Sequence, residues 1–262
     1  MTALLEKFGY PISYFPLGEN KGIAEAQNIG IRESVSAGCS HVLLLDQDSV
    51  VSSGMVTKLL VAEGELLKAG KKVAAVGPCV VDENTGARPC AVQYRWLRVH
   101  RIDPNADSSE PIETANLMAS GSVIRTAILG IVGAMRSDLF IDLVDTEWVF
   151  RASSAGYKSY CVPGAFMVHR IGDAARKFFG RDVYLHSDLR YYYILRNALY
   201  LAGVRSMGWQ WRAYIVSRLP YQFLVYSWFS TDRFGTARVL IKALWDGLVG
   251  RLGPLKEELG AQ

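Results

Sequence analysis

Two acidic clusters and one histidine carry the residue types that could do chemistry in this chain. Asp46 and Asp48 flank Gln47 directly after four unbroken apolar residues, Val42 to Leu45. Carboxylate oxygens at that spacing suit Mg²⁺ or Mn²⁺, above all an ion that also holds a diphosphate. Two solvated turn acids account for the pair equally well. The second cluster is Asp142, Asp145 and Glu147, within Phe140-Ile-Asp-Leu-Val-Asp-Thr-Glu-Trp148. Acids in a first helical turn are favoured by the helix dipole alone. That explains one or two of the three, and not the tryptophan set among them. His169 follows the apolar run Ala165 to Val168 at a strand end. Its place there opens a ligand role beside a structural one. Arg190 and Arg196 bracket three tyrosines; they could cover a diphosphate or form a polar helix face.

These groups need a scaffold that brings them to one rim. A short apolar run bounded by turn residues reads as a strand buried on both faces. Such strands belong to parallel α/β sheets, whose ligands bind beyond the strands' carboxyl ends. Further strands are expected at Ile12 to Phe15, at Val73 to Val76 (ended by Gly77-Pro78), around Val92 to Val99, and at Val123-Ile124. Two more are expected at Tyr160 to Val162 and Ala165 to Val168, separated by a Pro163-Gly164 turn. Helices are expected over Thr2 to Phe8, Ile23 to Ala37, from a Ser52 or Ser53 cap to Leu67, and Trp148 to Ser154. Asn20, Gly22 and Asn28 sit around a strand-to-helix turn that offers backbone N–H groups to an anion or is a plain connection. Ser120-Gly121 lets a backbone approach a ligand closely, though a tight turn needs the same residues.

Half of the 262 residues are apolar, which supports a sizeable core and excludes global disorder. Residues 1–150 carry 13 Lys+Arg against 18 Asp+Glu, a balance of −5, and residues 151–262 carry 16 against 7, a balance of +9. The basic part suggests an anionic partner. Its cations are interspersed with apolar residues and no recognition motif appears, so nucleic acid is not expected. Cys39, Cys79, Cys90 and Cys161 are scattered, which indicates neither a zinc site nor a disulfide framework and fits a reducing cytoplasm. Glu6 and Lys7 interrupt any leader-like apolar core. Two helices are expected in the last third, the first over Trp209 to Phe229 and interrupted by Pro220. In the second, Ala237, Leu240, Ile241, Leu244, Trp245 and Leu248 are expected on one face, with Arg238, Lys242 and Asp246 on the other. That pattern suits a helix lying in a membrane interface, or one packed on the domain or a dimer partner.

Taken together, Asn20-Lys-Gly-Ile-Ala-Glu-Ala-Gln-Asn-Ile-Gly30 and Leu-Leu-Leu-Asp-Gln-Asp-Ser49 resemble the family 2 glycosyltransferases of the GT-A fold, most of all their bacterial rhamnosyltransferase branch. Ser120-Gly-Ser122, Phe140 to Trp148 with Arg151, Val-Pro-Gly-Ala-Phe-Met-Val-His169 and Tyr-Tyr-Tyr-Ile-Leu-Arg-Asn197 follow in the family's order. The resemblance covers roughly residues 10–200. It implies an α/β, Rossmann-like and mostly parallel sheet flanked by helices over residues 1–200, lacking the family's usual first strand and its nucleobase loop. Residues 201–262 would be an appended pair of basic, amphipathic helices. It implies an inverting, metal-dependent transfer of a sugar, L-rhamnose from dTDP-rhamnose, to a glycan or lipid-linked acceptor, by a cytoplasmic protein peripheral to the membrane's inner face. Asp145 would be the catalytic base. Asp46, Asp48 and His169 would hold Mn²⁺ or Mg²⁺. Asn20, Gly22, Asn28, Asp46, Arg190 and Arg196 would face the donor; Ser120, Gly121, Glu147 and Trp148 the acceptor. The alternatives are a truncated, non-catalytic module of the same fold and, more distantly, an aspartyl-phosphate phosphatase. Against the latter, Ser49-Val50 follows the acids instead of Gly-Thr.

Overall fold

A computed structural model describes residues 12–82, 90–103, 110–169, 174–178 and 181–255. The helix expected at Thr2 to Phe8 lies outside them. Residues 12–15 are described and form no strand; Ile12, Tyr14 and Phe15 are exposed. An extended segment needs a ladder partner to count as a strand, and none pairs with this one among the described residues.

The first helix, α1, is Ile23–Ser36, close to its expected bounds. It leads to β1, His41–Leu43, and the short β2, Val50–Val51. Helix α2 is Met55–Lys68; Gly54 occupies its N-cap in place of a serine. Strand β3, Val73–Asp82, continues through Gly77-Pro78 instead of ending there, with a register irregularity between Pro78 and Cys79. The segment around Val92 to Val99 is a hairpin, β4 (Ala91–Arg95) with β5 (Arg98–Ile102), turning at Trp96-Leu97. Then come β6 (Ile112–Thr114), β7 (Val123–Arg125) and α3 (Thr126–Val132). Helix α4 is Val144–Ser154, so it begins four residues before its expected start and takes Asp145 and Glu147 into its first turn. Strand β8, Lys158–His169, runs on past Pro163-Gly164. Its bulge there faces the irregularity in β3, so the two strands keep step around their prolines. Beyond a two-stranded ribbon, β9 (Ala174–Phe178) and β10 (Arg181–Leu185), lie α5 (Asp188–Ala202), α6 (Trp209–Phe229) and α7 (Arg233–Val249).

The main sheet runs β1-β7-β3-β8-β2, with β6 also paired to β8. It is mixed, not mostly parallel: β3 and β8 run parallel, while β1·β7, β7·β3, β8·β2 and β6·β8 are antiparallel. An apolar run records burial, not the direction of its neighbours. The β1 run is also less buried than its composition suggests. Val42 and Leu44 are buried, but Leu45 is exposed. β7 pairs one side of β1. Glu63 of α2 is buried between His41 (2.9 Å) and Arg125 (3.1 Å), which pins the helix to the β1–β7 pair.

One hydrophobic core continues from α1, β1 and α4 into α5, α6 and α7. The tyrosines of α5 serve that continuity. Tyr193 stacks on Phe140 at 4.9 Å, and Tyr191 on Tyr226 at 3.9 Å. The Tyr192 hydroxyl donates to Asp246 of α7 at 2.7 Å. The dense aromatic content of Arg190 to Asn197 is therefore core packing between α5 and its neighbours.

Pairing of β3 with β8 brings together cysteines that look scattered in the sequence. Cys79 is disulfide-bonded to Cys90, and the Cys161 thiol lies 2.7 Å from the Cys90 sulfur and 3.5 Å from that of Cys79. This overturns the expectation of unpaired cysteines. Burial pushes the Cys161 thiol up to about 12, so it stays protonated beside the bond. Cys90 lies nearer to each of the other two sulfurs than they lie to one another. Under oxidising refolding, Cys79→Ala should therefore form Cys90–Cys161, read as a linked peptide in a non-reducing digest. Cys90→Ala should lose about 2–4 kcal/mol of stability and Cys79→Ala clearly less. Equal losses, with Cys90 free in the Cys79→Ala protein, would refute the shared-partner arrangement.

Candidate active site

The site is built where the end of β1, the turn before β7 and the start of α4 meet. After β1 the chain turns through Asp46-Gln-Asp-Ser49, with Asp46 half-buried and Asp48 exposed. The buried Ser120 holds this turn. Its Oγ accepts from the Asp46 backbone N–H at 3.0 Å and lies 2.7 Å from Ser49 Oγ. The backbones are joined as well: Gly121 N–H donates to Leu44 and Leu44 N–H to Ser122. Gly121 has φ 85°, and a Cβ there would sit 2.7 Å from Pro78 Cγ, so both conformation and space require glycine.

The residue before Ser120 reaches the other acid. Ala119 N–H donates to Asp145 Oδ2 at 3.3 Å, and Thr146 N–H donates to Asp145 Oδ1 at 2.7 Å. One dipeptide, Ala119-Ser120, thus touches both acidic motifs. Part of Asp145 remains open, yet protein crowds it closely. Burial raises its pKa above the usual carboxylate range. The two backbone donors oppose that rise and the nearby Asp142 adds to it. Burial also raises Asp142, against the guanidinium of Arg190 at 3.3 Å.

Asp145 is aimed by an unusual approach. Phe140, Asp142 and Leu143 all have positive φ, between 61° and 67°. Each such non-glycine residue costs on the order of 1 kcal/mol or more and persists only where its surroundings hold it. Here α5 holds it. Asn197 Nδ2 converges on the carbonyls of Leu139 (3.0 Å), Ile141 (2.8 Å) and Asp142 (3.0 Å). Arg196 donates to Leu139 O at 2.9 Å, to Asn197 Oδ1 at 3.0 Å and to Gly253 O. On the other side Gly22, at φ 80°, lies so near Phe140 that any Cβ would run into its carbonyl.

Several residues expected at a ligand therefore have other work. Arg196 is 1 % exposed, and its donors hold the loop and the C-terminal segment. Asn28 is buried and clamps Met135 through both its amide groups, and it also donates to Ser137. Trp148 is buried and donates to Gly133 O at 2.8 Å; Glu147 is buried against Arg151 at 2.9 Å. These four are polar or aromatic residues that share sequence blocks with candidate site residues, and sequence alone does not separate the two roles. Asn20 caps the turn by accepting from Gly22 N–H at 3.0 Å. Arg190 remains partly exposed at the start of α5. Strand β8 ends at His169, whose side chain lies outside the described residues. The sequence reading missed Asn197, for which a polar residue amid buried tyrosines was the available signal, and the Ala119 amide, for which there was none.

Oxygen donors from Asp46 and Asp48 fit Mn²⁺ or Mg²⁺ by their chemistry. Among the described residues, the three or more ligand-type side chains that converge most closely are Cys79, Cys90 and Cys161, all within 4.8 Å of one another. Once reduced, three sulfurs there could hold a soft metal ion, not those two hard ones. A ≈ 370 Å³ cavity is lined by Tyr94, Arg95, Val149, Phe150, Lys158 and Gln210 among others; Asp46, Asp48 and Asp145 are not in its lining, but Tyr94 on its wall feels the charge of Asp145.

No family model matches the chain. It is 34 % identical over 189 residues to "dTDP-rhamnosyl transferase RfbF" of Shigella flexneri, a match covering 71 % of this chain and 61 % of that protein. The crystal structure of GalNAc-T7 with UDP, GalNAc and Mn²⁺ superposes with a TM-score of 0.54 at 15 % identity, over 90 % of this chain and 44 % of the other. The chain has a GT-A glycosyltransferase fold and is related to the rhamnosyl transferase. At the rim where β1, the turn before β7 and α4 meet, the Asp46 turn and the Asp145 carboxylate are each bonded to the Ala119-Ser120 dipeptide. Asn197→Ala removes the donor shared by three carbonyls and is expected to cost about 2–4 kcal/mol, read by urea unfolding. Asn20→Ala, at an exposed turn, should stay within about 0.5 kcal/mol of the parent.

Proposed function

We propose that the chain is an inverting, metal-dependent glycosyltransferase that moves a sugar from a nucleotide-sugar donor to a glycan or lipid-linked acceptor. L-rhamnose from dTDP-rhamnose is the favoured pair. The sequence match to a dTDP-rhamnosyl transferase supports that choice. The single observation that carries the reading is the Ala119-Ser120 link between the Asp46 turn and Asp145. That link holds the turn proposed for the leaving side and the carboxylate proposed for the attacking side on one short piece of backbone. Asp46, Asp48 and His169 are the proposed metal ligands, and Arg190 the donor-side cation. Ser120 and Gly121 shape the floor between the two acids. The chain would work at the inner face of the membrane as a peripheral protein. None of its described helices is long and apolar enough to cross one.

In the reaction, the acceptor hydroxyl attacks the anomeric carbon from the face opposite the diphosphate. The new C–O bond forms as the bond to the diphosphate oxygen breaks, and the hydroxyl proton passes to Asp145. A single displacement with one base inverts the anomeric centre. Bound at the aspartates, Mn²⁺ or Mg²⁺ would supply charge neutralisation for the departing diphosphate. The two backbone amides on Asp145 orient its carboxylate, and its raised pKa strengthens it as a base. The left-handed loop before α4 fixes the direction from which it meets the acceptor.

The test is incubation with Mn²⁺ and a panel of nucleotide sugars, dTDP-rhamnose included. Transfer to acceptor or slow donor hydrolysis is expected; neither, with any donor and an intact fold, overturns the reading. Asp145→Asn should lower kcat by about 10²–10⁴-fold.

Acidity offers a further check. The base works ionised, so kcat/KM should fall as pH drops through the raised pKa of Asp145, above the usual value near ~3.9. Stability runs the other way. A carboxyl that binds its proton more tightly when folded favours the fold at low pH and loses that contribution as pH rises through its raised pKa. Asp145→Asn removes the buried charge but also one of the two acceptors used by the Ala119 and Thr146 amides, so its melting temperature relative to the parent should fall from pH 7.5 towards pH 4. A markedly less stable variant at pH 7.5 would mean that the carboxylate is structural.

A further inference from the structure

Helix α7 divides between core and solvent differently from the two faces its sequence suggests, with Leu240 and Asp246 buried and Arg238 exposed. It buries Thr236, Val239, Leu240, Ala243, Asp246 and Gly247, and it contacts both α5 and α6. Asp246, expected on the solvent side, is 2 % exposed and meets Tyr192, Lys242 and Arg251. Phe234, Ile241, Trp245 and Leu248 face outward instead, at 83, 59, 55 and 70 % exposure. Their spacing of seven, four and three residues puts them on one stripe of the helix. The end of α6 adds Leu224 and Trp228, both exposed. Four large apolar side chains of α7 thus stand in solvent, while Val239 and Leu240 join small and polar residues in the core.

The surrounding charge is positive. Residues 203–255 hold seven Arg or Lys against two acids. Asp246 is buried and pairs with Lys242 and Arg251, and the exposed Asp232 caps α7 by accepting from Gly235 N–H at 2.9 Å, so the arginines still outnumber the one exposed acid. Arg238 shares the exposed stripe, and the Arg233 guanidinium lies 4.9 Å from the Trp228 ring. Exposed aromatic and aliphatic side chains among arginines match the boundary between lipid headgroups and acyl chains. No described helix is long and apolar enough to cross a bilayer, so the face would lie on the surface.

We propose that the outer face of α7, with the end of α6, docks on an anionic lipid bilayer. Phe234, Trp245 and Leu248 enter the headgroup boundary, and Arg233 and Arg238 meet lipid phosphates. This deepens the reading of a lipid-linked acceptor and rests on it for its purpose. Its measurement needs neither donor nor acceptor, so the two fail separately.

The experiment is co-sedimentation of the full chain with phosphatidylcholine vesicles, with and without about one-third phosphatidylglycerol. Brominated lipids report tryptophan depth. Binding to the anionic vesicles is expected, at least about ten-fold weaker on pure phosphatidylcholine and weakened by 0.5 M salt. Bromolipid should quench tryptophan emission. Trp245→Ser with Leu248→Ser should bind about ten-fold or more weakly at an unchanged melting temperature, because both side chains are already exposed. Arg233→Gln with Arg238→Gln should reduce binding about ten-fold and flatten its salt dependence. Absence of binding by the parent overturns the proposal, as does equal binding by parent and serine variant. So does a lipid-free dimer that the serine variant abolishes, which would make the face a contact between two copies.

Discussion

The amide of Asn197 on the carbonyls of Leu139, Ile141 and Asp142 is the contact on which the candidate site depends. A peptide segment with three left-handed side-chain-bearing residues does not hold its shape unaided. The clamp is possible because α5 is itself immobilised, by Tyr193 on Phe140, Tyr191 on Tyr226 and Tyr192 on Asp246. The C-terminal helices thus contribute, through the loop before α4, to the geometry of a carboxylate on that helix. Arg196 extends the same logic to Gly253, near the end of the described chain.

Much of the architecture was legible in the sequence because hydrophobic period and turn residues are local signals. The bounds of α1 and α6 follow from them, and so do the places of β1 and β7. Failures came where a decision is made between distant segments. Pro78 and Pro163 look like strand ends, but β3 and β8 irregularities face each other and the ladder continues. Strand direction is set by connections, not by composition. The sulfur cluster forms because β3 and β8 are neighbours, which no cysteine spacing encodes.

For the site, residue types were informative and roles were less so. Ala119-Ser120 bonds both the Asp46 turn and the Asp145 carboxylate, segments far apart in the sequence. Asn28, Glu147, Trp148 and Arg196 share their blocks with such residues, yet they are buried in internal bonds. A polar side chain that satisfies the core and one that meets a ligand have the same letter. The division of helix α7 between core and solvent has the same root. Periodicity identified a stripe and a counter-stripe, but the partner surface on α5 selected the face with Thr236, Ala243 and Gly247, whose small size permits close approach.

The Ala119-Ser120 link has a mechanical implication. It is only two residues long, grips the Asp46 turn through a hydroxyl and the Asp145 carboxylate through an amide, and is backed by Pro78 against Gly121. Such a short strut has little slack. A displacement on the diphosphate side would be felt as a reorientation on the hydroxyl side, so in the proposed reaction occupancy by the first substrate would tune alignment for the second. Ordered addition of substrates would then arise from the rigidity of one dipeptide, with no domain movement required.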